Sequence, residues 1–214
     1  MVEYHISDTF YSIQGEGVWT GTPMFFIRLA GCNVNCAWCD TDYNIHCQKT
    51  EQELVQEAKQ YKTKRVVITG GEPMLQMVEA LVTELHKEGF KVHLETNGTV
   101  PVPADCFDWV AVSPKSPLHK LSPAAFSSAD EIKFVCGFVD VWEWYIEEVL
   151  SRFCPTFYTT ITTPRKWLIP LAKPYPQKDF FGINKNYAED AIEYCKQHPD
   201  FSLCVQIHKY LNIK

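Results

Sequence analysis

Two hydrophobic periods alternate along this chain. Short runs rich in β-branched and aromatic residues read as strands: residues 24–31 (MFFIRLAG), 65–73 (RVVITGGEP), 91–98 (KVHLETNG), 109–117 (WVAVSPKSP) and 131–137 (EIKFVCG). Between them lie segments whose apolar positions recur three and four apart, the spacing of one helix face. Residues 50–61 open on Thr50 with Glu53 three positions later, a capping-box pattern. Residues 77–89 place Val78, Leu81, Val82 and Leu85 on one face and close at Gly89. Residues 139–153 and 186–199 read as two more helices, and residues 156–162 and 201–210 as further strands. Two stretches, 113–130 and 162–186, are rich in proline and carry no clear period.

Strand–helix alternation at this spacing implies parallel strands joined by crossover helices, an α/β fold. Polar residues gather at the C-terminal ends of the strands, the rim where βα folds do chemistry. Eight full βα units need about 250 residues, and the chain has 214. The expected fold is therefore an incomplete, modified (β/α) barrel of about six parallel strands, one domain over residues 1–214.

Composition narrows the function. Formal charge is −6, with 20 basic and 26 acidic side chains and no basic block, which disfavours a direct nucleic-acid interface. No apolar run is long enough to span a bilayer. The N-terminus lacks a basic start followed by an apolar run, so no secretory signal is expected. Nine cysteines, an odd number without such a signal, fit a reducing cytoplasm better than a disulfide framework. Cys136 and Cys204 sit in strand-like runs, where a thiol serves as a small buried hydrophobe.

Cys32, Cys36 and Cys39 stand apart from these. They follow the first strand directly, after Gly31, in the spacing CxxxCxxC. Three thiolates on one short loop suit three irons of a cubane and leave the fourth iron open to a small molecule. Structural zinc would need a fourth ligand, which His46 or Cys47 would have to supply. Free thiols are the remaining reading, although Asn33, Asn35, Asp40 and Asp42 mark the segment as a loop. A zinc-stabilised binding module is thus the non-enzymatic alternative.

This loop resembles that of the radical S-adenosylmethionine (SAM) enzymes, in which the open iron of a [4Fe-4S] cluster chelates the methionine end of SAM. Trp38, between the second and third cysteines, matches the aromatic usual there. TGGEP at the next strand end, with Gly70, Gly71 and Glu72, resembles the motif that holds the methionine ammonium. A bare GGEP would be no more than a strand-end turn.

More specifically, FYSIQGEGVWTGTPMFFIRLAGCNVNCAWCDT, LETNG, VSPK and the ending VQIHKYLNIK resemble, in order, the 7-carboxy-7-deazaguanine synthase family of queuosine and 7-deazapurine biosynthesis. The resemblance is weakest from about residue 139 to 200. It implies a radical-mediated ring contraction of 6-carboxy-5,6,7,8-tetrahydropterin with loss of ammonia, a carbon–nitrogen lyase reaction, supported by Mg2+. SAM is regenerated. It also implies a cytoplasmic homodimer fed by a reductant such as flavodoxin or ferredoxin.

The resemblance assigns Gln14, Gly15, Glu16, Arg28 and His208 to substrate, Thr41 to magnesium, and Trp38, Asp40, Gly70, Gly71, Glu72, Thr96, Asn97, Ser113, Lys115 and Gln206 to SAM. It assigns no residue as acid or base. Arg28 in an apolar strand needs a buried partner, because an unpaired guanidinium is costly there; a substrate carboxylate or a structural acid such as Glu16 would serve. A lone histidine such as His208 is often just packed, and Asp42 is read as a solvated loop acid. The chain departs from the family's pattern at Ile207, in the wording of residues 159–163, and in its extra Cys47. The nearest enzyme alternative is a glycyl-radical-enzyme activating enzyme, which also begins with such a loop but acts on a partner protein.

Overall fold

The computed structural model describes residues 2–115, 118–136, 142–153, 165–170 and 185–214. In chain order they form β1 (Glu3–Ile13), β2 (Pro23–Leu29), β3 (Cys47–Thr50), α1 (Glu51–Ala58), β4 (Arg65–Gly70), α2 (Glu79–Lys87), β5 (Lys91–Thr96), β6 (Trp109–Val112), α3 (Pro123–Ser127), β7 (Glu131–Cys136), α4 (Trp142–Phe153), β8 (Arg165–Pro170), α5 (Lys185–Gln197), β9 (Phe201–Leu203) and α6 (Ile207–Leu211). One sheet runs in the order β3-β1-β2-β4-β5-β6-β7-β8-β9. From β2 to β9 every neighbouring pair is parallel, while β1 is antiparallel to both β2 and β3. The sheet is the expected incomplete barrel, with six parallel strands of four to seven residues and the three-residue β9 beyond them.

Period-2 geometry explains why these strands read as nearly continuous apolar runs: both faces are covered. On β2, Phe25, Ile27 and Leu29 pack outward with Leu54 of α1 and Leu81 and Leu85 of α2, while Met24 and Phe26 point inward against Val67 of β4. The second outer cluster joins Leu94, Val112, Ile132 and Phe134 to Ile146 and Val149 of α4 and Tyr194 of α5. Each fully buried aliphatic side chain stabilises the fold by about 1.5–3 kcal/mol. The inner face is different on β5 and β7. There His93 and Glu95 on β5, and Glu131 and Lys133 on β7, alternate with outward Val92, Leu94, Ile132 and Phe134.

The capping box forms as the spacing predicts: Thr50 accepts from the Glu53 amide and Glu53 accepts from the Thr50 amide. Other elements differ from expectation. β1 and β3 have no counterpart in the hydrophobic reading: in β1 exposed Glu3 and His5 alternate with buried Tyr4 and Ile6 for only four residues before Ser7 and Asp8 break the pattern, where the register with β2 shifts, and β3 (CQKT) offers no apolar run. β8 lies inside the proline-rich stretch, at Arg165–Pro170, and α3 inside the other, started by Pro123 at its first turn. The strand read over residues 156–162, like Cys154, lies outside the described residues. The strand read over 201–210 ends at Leu203, after which the chain turns into α6. Cys136 and Cys204 are buried as expected. Among the described residues no helix is long and apolar enough to cross a membrane.

Asp108 clips the entry to β6 onto β5 and α2. Its carboxylate accepts from Lys91 Nζ at 2.7 Å, the Val92 amide at 2.8 Å and the His86 ring at 2.8 Å. Burial works against the charged form, but these donors outweigh it and bring the pKa from 3.8 down to about 2. A depressed carboxylate contributes stability above its unfolded pKa and loses it as pH falls toward the folded value. Asp108→Asn should therefore cost about 2 kcal/mol near neutral pH. In urea titrations at a series of pH values the gap from wild type should narrow below pH ~4. A gap independent of pH would show that the carboxylate charge contributes nothing.

Candidate active site

β2 leads directly into the cysteine loop. Gly31 has φ 86°, a left-handed conformation that glycine adopts without strain. Its amide donates to the Tyr43 carbonyl at 2.8 Å and its carbonyl accepts from the Glu72 amide at 2.9 Å. The loop is thereby tied to the end of β4. Asn33 ties it to the end of β5, accepting from Asn97 Nδ2 at 3.1 Å and donating to Thr99 Oγ1 at 2.8 Å. Within the loop the Cys39 amide donates to the Cys36 carbonyl at 3.1 Å.

Cys32 and Cys36 are half-buried and Cys39 is exposed. Burial pushes the Cys32 and Cys36 thiols up, and their mutual repulsion with Cys39 adds to this, while the Lys115 ammonium opposes it. The three sulfurs thus lie within one another's field, with a cation beside them. Lys115 Nζ sits 5.5 Å from the Trp38 ring centre and donates to Ser113 Oγ at 2.8 Å. His46 and Cys47 do not join the group: the His46 ring is 3.0 Å from the Asp42 carboxylate, and Cys47 is exposed at the start of β3. Among the described residues no set of three or more His, Cys, Asp or Glu is arranged around a single metal ion. A cubane makes a different demand, one thiolate to each of three irons, and three thiols spread along one loop match it. Asp42 is, as expected, an exposed loop acid, accepting from the Asn44 amide at 2.9 Å.

The two glycines at the end of β4, Gly70 within it and Gly71 just after, are there for closeness. A Cβ on Gly70 would lie 2.1 Å from the Leu29 carbonyl oxygen, and one on Gly71 would lie 2.2 Å from the Gly31 oxygen and 2.7 Å from Cys32 Cβ. Glu72 is fully buried. Its carboxylate accepts from the Met74 amide (3.0 Å), Thr96 Oγ1 (2.8 Å) and the Asn97 amide (2.7 Å). Burial pushes its pKa up, against those donors. The side chain braces the ends of β4 and β5 against each other.

A second cluster lies beside the loop. Arg28, next to last in β2, donates to Thr41 Oγ1 at 3.3 Å and lies over the Phe10 ring. After β1, Gln14 Nε2 donates to Glu95 at 3.0 Å, and Glu16 accepts from Gln206 Nε2 at 2.6 Å. α6 packs onto the same turn. The Ile207 amide donates to the Gly15 carbonyl at 3.1 Å, and a Cβ on Gly15 would lie 1.9 Å from His208 Nδ1, so glycine is required for the imidazole to pack there. Burial pulls the His208 pKa down, favouring the neutral ring. Asp40 pairs with Lys209 of α6, which ties the cysteine loop to the C-terminal segment.

Comparison with known proteins gives this geometry its context. Residues 26–163 match the radical SAM superfamily. The chain is 36% identical over 218 positions to the 7-carboxy-7-deazaguanine synthase of Synechocystis, spanning 100% of this chain and 95% of that one. It belongs to the 7-carboxy-7-deazaguanine synthase family. The synthase of Bacteroides thetaiotaomicron is 34% identical, spanning 98% of each chain. The crystal structure of QueE from Escherichia coli superposes with a TM-score of 0.77 at 28% identity, over 95% of this chain and 94% of that one. Superfamily membership carries with it use of an iron–sulfur cluster and SAM.

Within this family member the expected residues divide into two groups that meet at the strand ends. The cysteine loop, Trp38, Gly70 to Glu72, Thr96, Asn97, Ser113 and Lys115 form one; Gln14, Glu16, Arg28, Thr41, Gln206 and His208 form the other. Asp40 is engaged by Lys209. Two further charged residues, Glu95 and Lys133, are absent from the sequence expectation. Glu95 accepts from Gln14 and from Lys133 Nζ at 3.0 Å, and Lys133 also lies 3.5 Å from Glu16. Burial raises the Glu95 pKa, but Lys133 outweighs it and holds the group at about 2. The signal for Lys133 is the one that marks Arg28, a lone cation in an apolar strand.

Proposed function

We propose that this chain converts 6-carboxy-5,6,7,8-tetrahydropterin to 7-carboxy-7-deazaguanine with loss of ammonia. The observation that carries this is adjacency: Arg28 reaches the side chain of Thr41, which stands two residues beyond Cys39. A carboxylate bound by Arg28 would therefore lie next to the cysteine loop, and Thr41 would hold a magnesium ion through its hydroxyl oxygen, which would supply charge neutralisation beside that carboxylate. When bound, the cluster and SAM supply reductive cleavage to a 5′-deoxyadenosyl radical.

The protein's own part is orientation. Cys32, Cys36 and Cys39 would hold the cluster. Glu72 is occupied by three protein donors, so a direct hold on the methionine ammonium falls to backbone carbonyls of the Gly70–Gly71 segment. Trp38, Thr96, Asn97, Ser113 and Lys115 would line the rest of the SAM pocket, with Gln206 and Asp40 at its edge. Gln14 and Glu16 would take the guanidine-like edge of the pterin, with the neutral His208 ring packed on Gly15 behind them. Holding both ends of the substrate fixes its reacting carbon. A homodimer and an external low-potential reductant such as flavodoxin or ferredoxin complete the reading.

Anaerobic turnover with the pterin, SAM, magnesium and reductant, read by mass spectrometry, tests it. The expected product is 7-carboxy-7-deazaguanine, dependent on the cluster. Steady 5′-deoxyadenosine without that product would refute the substrate and leave the radical chemistry standing.

A further inference from the structure

Lys133 is 3% exposed by its side chain, in the middle of β7. Its ammonium bonds to Glu95 at 3.0 Å and Glu16 at 3.5 Å, on two other elements of the fold. Glu131, two residues back, is farther, at 4.0 Å, and is engaged elsewhere by the Trp109 indole N–H (3.2 Å) and the Val18 amide (3.0 Å). β5 and β7 are separated by β6, which places Ala111 in register with both Glu95 and Glu131. A methyl group at that point leaves room for Lys133 to reach across to Glu95. Arg28 and His208 also face these carboxylates, but act on them through space.

Burying the Lys133 ammonium is costly unless acids surround it, and two half-buried carboxylates, Glu16 at 19% and Glu95 at 28% exposure, repel each other when no cation lies between them. We propose that Lys133 is a positioning residue of the substrate pocket: its ammonium keeps Glu16 and Glu95 together as two charged acceptors. It thereby builds the wall that selects a ligand with adjacent N–H donors, such as the amidine edge of a pterin. Opposite charges at the two ends of the pocket, Arg28 and this acid pair, would then set both the class of ligand and its direction. This inference rests on the function proposed above.

Lys133→Met keeps an unbranched chain one atom shorter and removes charge. In holoenzyme the KM for the pterin should rise about 10- to 100-fold, the worth of a charge-assisted hydrogen bond. The KM for SAM and the iron content should not change. In a Glu95→Gln background one of the two carboxylates that Lys133 holds together has lost its charge, and Glu131 stays engaged by Trp109 and Val18, so adding Lys133→Met should change the pterin KM less than about threefold. A pterin KM within about twofold of wild type for Lys133→Met overturns the inference, as does an undiminished effect in the Glu95→Gln background. If Lys133→Met alone does not fold, the charge-balanced comparison in the Glu95→Gln background decides. Wild-type protein that makes no product would refute the proposed function; wild-type turnover with these KM values unmoved would refute the role of Lys133 alone.

Discussion

Cys36→Ala protein, reconstituted anaerobically with iron and sulfide, should lose its cluster and release 5′-deoxyadenosine at background level, a drop of about a thousandfold or more. The cluster would be bonded to this chain through three thiolates, and each iron needs its own. Removing one leaves two irons of a cubane without protein ligands. The loop itself should survive. Its internal hydrogen bond runs from the Cys39 amide to the Cys36 backbone carbonyl, and its ties to β4 and β5 run through Gly31 and Asn33. Circular dichroism should therefore match wild type while iron, sulfide and SAM cleavage are lost together. Full iron content and full cleavage in this variant would remove Cys36 from the site.

Arg28→Ala should raise the KM for the pterin about 100-fold or more, as expected when a two-pronged charged contact is lost. Iron content and cleavage of SAM without substrate should stay near wild type, because Arg28 touches Thr41 and Phe10 and no cysteine. A second readout follows from the 3.3 Å contact between Arg28 and Thr41. If the substrate carboxylate is shared between Arg28 and a magnesium ion on Thr41, the variant should also need more magnesium for half-maximal rate. Arg28→Lys should recover part of the loss, since it keeps charge without the fork. Unchanged kinetics in Arg28→Ala would take the carboxylate away from this residue.

Elements whose signal is local are legible in the amino-acid order. Thr50 and Glu53 cap α1 through neighbours three residues away, and the fold follows the pattern. CxxxCxxC is likewise compact, because one loop supplies every thiol. β1 escapes such a reading because its alternation stops at Ser7 and Asp8, where the register shifts, while its backbone stays paired with β2 and β3. β8 escapes it because prolines on either side of Arg165–Pro170 obscure a six-residue strand that pairs with β7 along its length. Glu72 shows a different limit. Its position in a motif suggests a ligand-facing carboxylate, whereas three donors from the ends of β4 and β5 turn it inward.

The amino-acid order alone determined the α/β alternation, the three-thiol loop after the first apolar strand, and the acid and amide residues set out for a small polar substrate. These depend on contacts within a few residues or on periodicity, which a linear string displays. That Arg28 meets Thr41, that α6 folds back onto Gly15, and that Lys133 lies between Glu16 and Glu95 came from the three-dimensional packing. Lys133 is 38 residues from one partner and 117 from the other. Strand order and the small Ala111 bring them together, and the burial of the Lys133 ammonium, 3% exposed, requires carboxylate partners.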